Sequence, residues 1–106
     1  MSLPLKWEFP GGKIEEMENE SDALIREIKE ELNIYITPLK RLTPSVYSYP
    51  KFSITLIPYI AQILSGEIFL HEHSDMCFLQ VSELESLDWA EADIPIVKEL
   101  LNLKVK

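Results

Sequence analysis

"GGKIEEMENESDALIREIKEELNI", residues 11–34, decides how the rest of the chain is read. It opens as a glycine turn fed by Trp7-Glu8-Phe9-Pro10 and ends as a dense acidic helix. Asn19 followed three residues later by Asp22 is a helix-start signal of the capping-box kind. Ala23, Leu24, Ile28 and Leu32 then recur at helical spacing, with Ile25 beside them, so one face of this helix is apolar. Asn33 stands where the helix should stop, and asparagine tolerates the left-handed conformation of a C-terminal cap. Glu27, Glu30 and Glu31 fall three and four positions apart and share one face, where each like-charge pair destabilises an isolated helix by roughly 0.2–0.5 kcal/mol. Two explanations compete: an ordinary solvated face, or a ligand set for a hard divalent cation, which takes oxygen donors. The rigid glycine turn ahead of the acids favours the second.

Outward from this stretch the chain reads as β structure and one more helix. Leu3 to Phe9 reads as a short extended segment. From Leu42 to Ile63 the texture is β: "LTPSVYSY", a turn near Pro50-Lys51, then "FSITLIPYIAQIL", a hairpin pattern rich in Thr, Val, Tyr and Ile. Pro58 has no ladder donor, so a bulge or an open edge is expected there. Ser65-Gly66 reads as a turn, "MCFLQV" (76–81) as a strand that buries the Cys77 thiol, and Ser82 with Glu85 as the start of a short helical turn. Asp93 before Ile94-Pro95 opens a last helix running to about Leu103. The order of strand, helix, strands and helix predicts an α/β (α+β) fold, a mixed β-sheet with helices packed on it.

At 106 residues, 46% hydrophobic and 26% charged, the composition is that of one globular domain. Eighteen acids against ten bases give a net charge of −8, a field that repels a nucleic-acid polymer but accepts a phosphate-bearing small molecule through a bound metal. One cysteine forms no disulfide within the chain and builds no cysteine-rich zinc site. No apolar run reaches the length of a membrane span and no signal peptide is evident, so a soluble cytoplasmic protein is expected.

The run from Gly12 reads glycine, five residues, Glu18, seven residues, Arg26-Glu27-Ile28, one residue, Glu30-Glu31, one residue, Asn33-Ile34. It resembles the Nudix box of the Nudix hydrolases, G-x5-E-x7-R-E-U-x-E-E-x-G-U with U aliphatic, and meets eight of nine specified positions over 23 residues. The departure is Asn33 in place of the last glycine. Met17 also stands where many members have glycine, and a positive φ there implies local strain. The resemblance implies a Nudix-type sheet sandwiched between helices, and a Mg²⁺- or Mn²⁺-dependent enzyme that cleaves a nucleoside triphosphate to a monophosphate and pyrophosphate. It implies Glu27, Glu30 and Glu31 as metal ligands with the Gly11 carbonyl, Glu27 as the group that activates water, and Arg26 paired with Glu18 to hold the loop on the helix. Gly12 belongs with the phosphate-presenting loop.

Beyond the box, "WEFPGGKIE" (7–15), "HEH" (71–73) and "ADIPIV" (92–97) resemble segments of MutT-type enzymes and CTP pyrophosphohydrolases. The resemblance places Glu72 near the metals on a loop, although "HEH" read alone also suggests zinc. It places Asp93 against the base, where the same residue also reads as a helix cap, Tyr49 near the base pocket, and Glu8 near the nucleotide. Members of the family carry a β-hairpin ahead of this motif, whereas Met1 to Lys6 alone precede Trp7. The expectation is an N-terminally truncated sheet that pairs its edges with a second copy in a homodimer. The competing reading is a catalytically impaired Nudix-fold module that binds nucleotide or a partner.

Overall fold

The computed structural model describes residues 6–68 and 76–103. Along the described chain run α1 (Glu20–Leu32), β1 (Ile34–Arg41), β2 (Ser45–Tyr49), β3 (Phe52–Leu56), β4 (Tyr59–Gly66), 3-10 turns at Val81–Ser86 and Glu91–Asp93, and α2 (Ile94–Leu103). They form two compact units, one drawing on residues 10–41, 59–68 and 76–77, the other on 6–9, 42–58 and 78–103. Among the described residues no helix is long and apolar enough to cross a membrane.

The first of these units grows from α1. The Asn19 side chain accepts from the Asp22 amide at 2.8 Å, satisfying a donor that the first helical turn leaves orphaned. At the other end Asn33 adopts φ 62°, ψ 34°, and its N–H donates to the Lys29 carbonyl. Here asparagine does more than glycine can. Its Oδ1 accepts from Lys29 Nζ at 2.9 Å and its Nδ2 donates to the Glu67 carbonyl at 3.1 Å. The cap reverses the chain directly into β1, whose Ile34 and Ile36 bury against Ile28 and Leu32 of the helix, with Leu24, Ile25, Ile68 and Met76 packed around them. Each buried aliphatic side chain contributes about 1.5–3 kcal/mol, which holds the acidic helix in place despite its like charges.

β4 completes this unit as the antiparallel partner of β1, from Ile34 opposite Gly66 to Arg41 opposite Tyr59. The register slips twice, leaving Leu64 and Leu39 without rungs, and both are exposed, at 61% and 62%. The slip at Leu39 follows Pro38, which has no N–H for the ladder. Arg41 grips the Glu20 carboxylate with Nε and Nη2 at 2.8 and 3.0 Å, and the Tyr59 hydroxyl donates to it at 2.7 Å. The start of α1 is thus tied to the ends of both strands, and the Glu20 carboxyl is held below its usual range by Arg41 first and Tyr59 second.

In the other unit β2 and β3 form the expected hairpin, Ser45 opposite Leu56 through Tyr49 opposite Phe52, turning at Pro50-Lys51. Tyr49 lies 4.7 Å from the Tyr47 ring and 5.0 Å from Phe52. Trp7 makes a parallel bridge to Trp89, donating to the Asp88 carbonyl at 2.9 Å and accepting from the Ala90 amide at 3.0 Å. Phe9 stacks on Trp89 with ring centroids 4.5 Å apart. α2 buries Ile96 and Val97, and its Glu99 carboxylate takes the Thr43 amide and hydroxyl at 3.0 and 3.1 Å.

Several sequence-based expectations change. "IYITPLKR" is a strand, β1, although the β texture of the sequence is plain only from Leu42 onward. Pro58 does more than open an edge: β3 ends at Leu56 and β4 begins at Tyr59 in a different sheet, while the Pro58 carbonyl accepts from Leu42 N. Ser65-Gly66 belongs to β4 rather than to a turn. "MCFLQV" forms no strand; Cys77 is exposed and Phe78 is 72% exposed, so a short apolar run without a pairing partner stayed irregular. The helical turn after it starts at Val81, capped reciprocally by Gln80 and Glu83 rather than by Ser82 and Glu85. Of Leu3 to Phe9, residues 6–9 are described, and they contribute the Trp7 bridge rather than a full strand.

Candidate active site

Arg26 organises the acidic helix. Its Nε and Nη2 bind the two oxygens of Glu18 at 2.8 and 3.0 Å, and Nη2 also donates to the Lys13 carbonyl at 2.8 Å. Nη1 donates to Glu27 Oε2 at 2.8 Å and to Glu30 Oε1 at 3.4 Å. The bidentate fork to Glu18 is the geometry a planar guanidinium favours, and it ties the loop ahead of α1 to the helix. Glu18 in turn accepts from the Glu15 amide at 2.9 Å. These contacts hold the Glu18 carboxyl below its usual range, Arg26 being the larger cause, and push the Arg26 pKa upward, chiefly through Glu18 and Glu27. The sequence-based pairing of Arg26 with Glu18 is what the geometry contains.

The glycine turn closes on the same carboxylates. The Gly11 amide donates to Glu31 Oε1 at 3.1 Å, and Gly11 has φ 152°, a backbone region that excludes most side chains. A Cβ on Gly12 would collide with the Glu27 carboxylate, so glycine is what permits that close approach. Met17 does adopt a positive φ, 69°, with its side chain fully exposed, and so carries the anticipated strain without compensating burial.

The glycine turn thus meets α1 at two carboxylates, Gly11 at Glu31 and Gly12 at Glu27, while Arg26 links Glu27 to Glu30. Three carboxylates on one helix face are the donor chemistry of a hard cation such as Mg²⁺ or Mn²⁺, so the residues fit such an ion. Among the described residues no three His, Cys, Asp or Glu side chains converge closely enough to form a ready-made metal cage. Glu27 and Glu30 turn toward Arg26, and Glu31 toward the Gly11 amide. Glu72, with the "HEH" stretch, lies outside the described residues.

The remaining candidates belong to the other unit. Asp93 is 5% exposed, and its Oδ1 accepts from the Phe9 amide at 3.4 Å. Burial pushes its pKa up to about 6, with the Phe9 hydrogen bond opposing and nearby Glu8 adding to the rise. Among the described residues the hydrogen bond to this carboxylate comes from Phe9 rather than from the first turn of α2, so the helix-cap explanation of Asp93 loses its support. Tyr49 is half-buried and accepts from the Ala92 amide through its hydroxyl at 3.0 Å. Sequence reasoning missed Ser45, which is 6% exposed and donates to the Ala92 carbonyl at 2.7 Å. A serine in a strand otherwise read for packing was the only local signal.

A model of the NUDIX domain matches residues 2–100. The chain belongs to the NUDIX family. Within that family it is 34% identical over 91 residues to a Mycobacterium tuberculosis protein provisionally named 8-oxo-dGTP diphosphatase 2, covering 83% of this chain and 63% of that one. The chain thus spans less than two thirds of that relative's length. Against the CTP pyrophosphohydrolase of Escherichia coli it is 31% identical over 98 residues, covering 92% and 73% of the two chains. The solution structure of the E. coli ORF135 protein superposes with a TM-score of 0.84 at 30% identity, over 93% of this NUDIX chain and 71% of that one. The fold is accordingly the mixed α/β fold of the family.

Proposed function

We propose that this NUDIX protein is a divalent-metal-dependent nucleoside triphosphate pyrophosphohydrolase, acting on CTP or on a modified deoxynucleotide such as 8-oxo-dGTP. The single observation that carries this reading is the loop–helix arrangement in which Arg26 locks Glu18 and the Lys13 carbonyl onto α1 beside Glu27, Glu30 and Glu31. The names of its relatives supply the nucleotides.

In this reading Glu27, Glu30 and Glu31, with the Gly11 carbonyl, would hold Mg²⁺ or Mn²⁺, which would supply neutralisation of charge on the phosphate oxygens and the leaving group. Arg26 keeps the residue 12–18 loop in register with the carboxylates. Gly12 leaves room for Glu27, whose carboxylate takes a proton from the attacking water. Water adds to phosphorus as the bond to the pyrophosphate oxygen breaks, giving a nucleoside monophosphate and pyrophosphate. The resemblance to MutT-type enzymes further suggests Asp93 for contact with the base, Glu8 for the nucleotide and Glu72 as an additional acid. The same reading places the protein in the cytoplasm, where nucleotides are the substrate pool. Exposed Val46 and Phe78 in one unit and Leu39, Ile63 and Leu64 in the other favour association with a second copy.

A second reading, a nucleotide-binding module without turnover, is favoured by one contact: the guanidinium of Arg26 engages two of the three ligand carboxylates. Incubation of the protein with CTP, dGTP and 8-oxo-dGTP in Mg²⁺, with phosphorus NMR of the products, separates the two. Monophosphate and pyrophosphate in stoichiometric amounts are the expected products. Release of inorganic phosphate instead, or no product beside intact binding, refutes the enzyme reading.

A further inference from the structure

We propose that Ser45 and Tyr49 are positioning residues for base selection: their hydroxyls hold both polar groups of Ala92 and thereby fix where the Asp93 carboxylate stands. This inference rests on the reading of Asp93 as the base-contacting group.

The observations lie within one unit. Residues 45 and 49 point to the same side of β2, because side chains on a strand alternate with a period of two. Ser45 Oγ donates to the Ala92 carbonyl at 2.7 Å, and that carbonyl belongs to the peptide joining Ala92 to Asp93. From the other end of the same strand, Tyr49 Oη accepts the Ala92 N–H at 3.0 Å. Ala92 is 3% exposed, so neither group has water as an alternative partner, and an orphaned buried peptide group is costly. The clamp lands on a single-turn 3-10 element, Glu91–Asp93, in which Asp93 N donates to Ala90 O at 2.9 Å. Such a short element has little stiffness of its own.

Asp93 is held from a second direction by Phe9, whose amide donates to Oδ1 and whose ring stacks on Trp89. The long, 3.4 Å contact to Phe9 is the weaker of the two constraints. The strand clamp therefore sets the angle at which the carboxylate meets a ligand, and a hydrogen-bonding group that discriminates bases must be held within a few tenths of an ångström and about 10–20°. Tyr49 then acts through Ala92 rather than by contact with the base.

The test uses the product-like monophosphates CMP, dGMP and 8-oxo-dGMP, whose binding is measurable whether or not the protein turns over. Their dissociation constants are compared in the wild type, Ser45→Ala, Ser45→Thr, Tyr49→Phe and Asp93→Asn by calorimetry. Carbon-detected NMR follows the titration of the Asp93 carboxyl in the variants that retain it. Ser45→Ala and Tyr49→Phe are expected to compress the spread between the tightest and weakest ligand by about three- to tenfold and to displace the Asp93 titration. Ser45→Thr, which keeps the hydroxyl, restores the spread. Equal weakening of all three ligands, or an unchanged spread, overturns the clamp while a changed ranking in Asp93→Asn leaves the base reading standing. A ranking that Asp93→Asn does not alter overturns the base reading itself, and the clamp with it. If Ser45→Ala does not fold, Tyr49→Phe, which keeps its ring contacts with Tyr47 and Phe52, carries the same test.

Discussion

Replacing Asp93 by asparagine should make the protein more stable at neutral pH. The native carboxyl has a pKa of about 6 against 3.8 for the free group, and burial is the largest cause. A native pKa raised above the unfolded one means that the folded state binds the proton more tightly. The folded protein is therefore most favoured where Asp93 is protonated, and this contribution is lost as pH rises through the window from about 4 to about 6. At 1.36 kcal/mol per unit the full cost of the ionised group above that window is about 3 kcal/mol, and about 2 kcal/mol once solvent screening is allowed for. The amide variant never develops that charge, and its side-chain oxygen still accepts from Phe9. Thermal melts of wild type and Asp93→Asn at about pH 7.5 should then differ by roughly 10 °C in favour of the variant. Near pH 3.5, below both pKa values, the two should melt together. A variant less stable at neutral pH, or a difference that does not vanish in acid, would show that the carboxylate is compensated in the fold and that the desolvation reasoning is wrong.

Met17→Gly should stabilise by about 0.5–1 kcal/mol, because relief of a left-handed non-glycine residue outweighs the added freedom of the unfolded chain; denaturant midpoints measure it. Asn33→Gly keeps the left-handed cap but loses the bonds to Lys29 and Glu67, so it should cost about 0.5–1.5 kcal/mol in the same assay. Arg26→Lys cannot reproduce the fork to Glu18 together with the bond to Lys13, so residues 13–18 should become more sensitive to limited proteolysis while α1 stays protected in hydrogen exchange. Light scattering at low micromolar concentration should give a dimer mass, and a compact, cooperatively melting monomer would remove the proposed association.

α1 was legible because several independent signals agree along one short stretch: the Asn19 cap, the apolar stripe and the Asn33 stop. The box residues were legible for the same reason, since a helix converts sequence spacing directly into a shared face. The strands were harder. "IYITPLKR" contains Pro38 and ends in basic residues, which masks a strand whose burial is confined to its first half. "MCFLQV" has the composition of a strand without a partner among the described residues. Ile57 and Pro58 join two strands that the unbroken apolar run disguised as one. The clamp on Ala92 was invisible because its partners are 47 and 43 residues away, and nothing local in Ser45 or Tyr49 announces which peptide their hydroxyls will meet. Asp93 lay between these cases: its identity drew attention, but its burial and its hydrogen bond from Phe9, 84 residues away, could not be read locally.

The central claim is that the α1 carboxylates do the chemistry, and pyrophosphate release by the Glu30→Gln, Glu31→Gln double variant tests it most directly. The substitution removes two charges and keeps side-chain shape, so circular dichroism should remain that of the wild type, and metal-free melting should be unchanged or higher as like-charge repulsion falls. In saturating Mg²⁺ the account predicts turnover at least about a hundredfold below wild type, the loss typical of removing a principal charge-stabilising group. A folded double variant that releases pyrophosphate at the wild-type rate would contradict it.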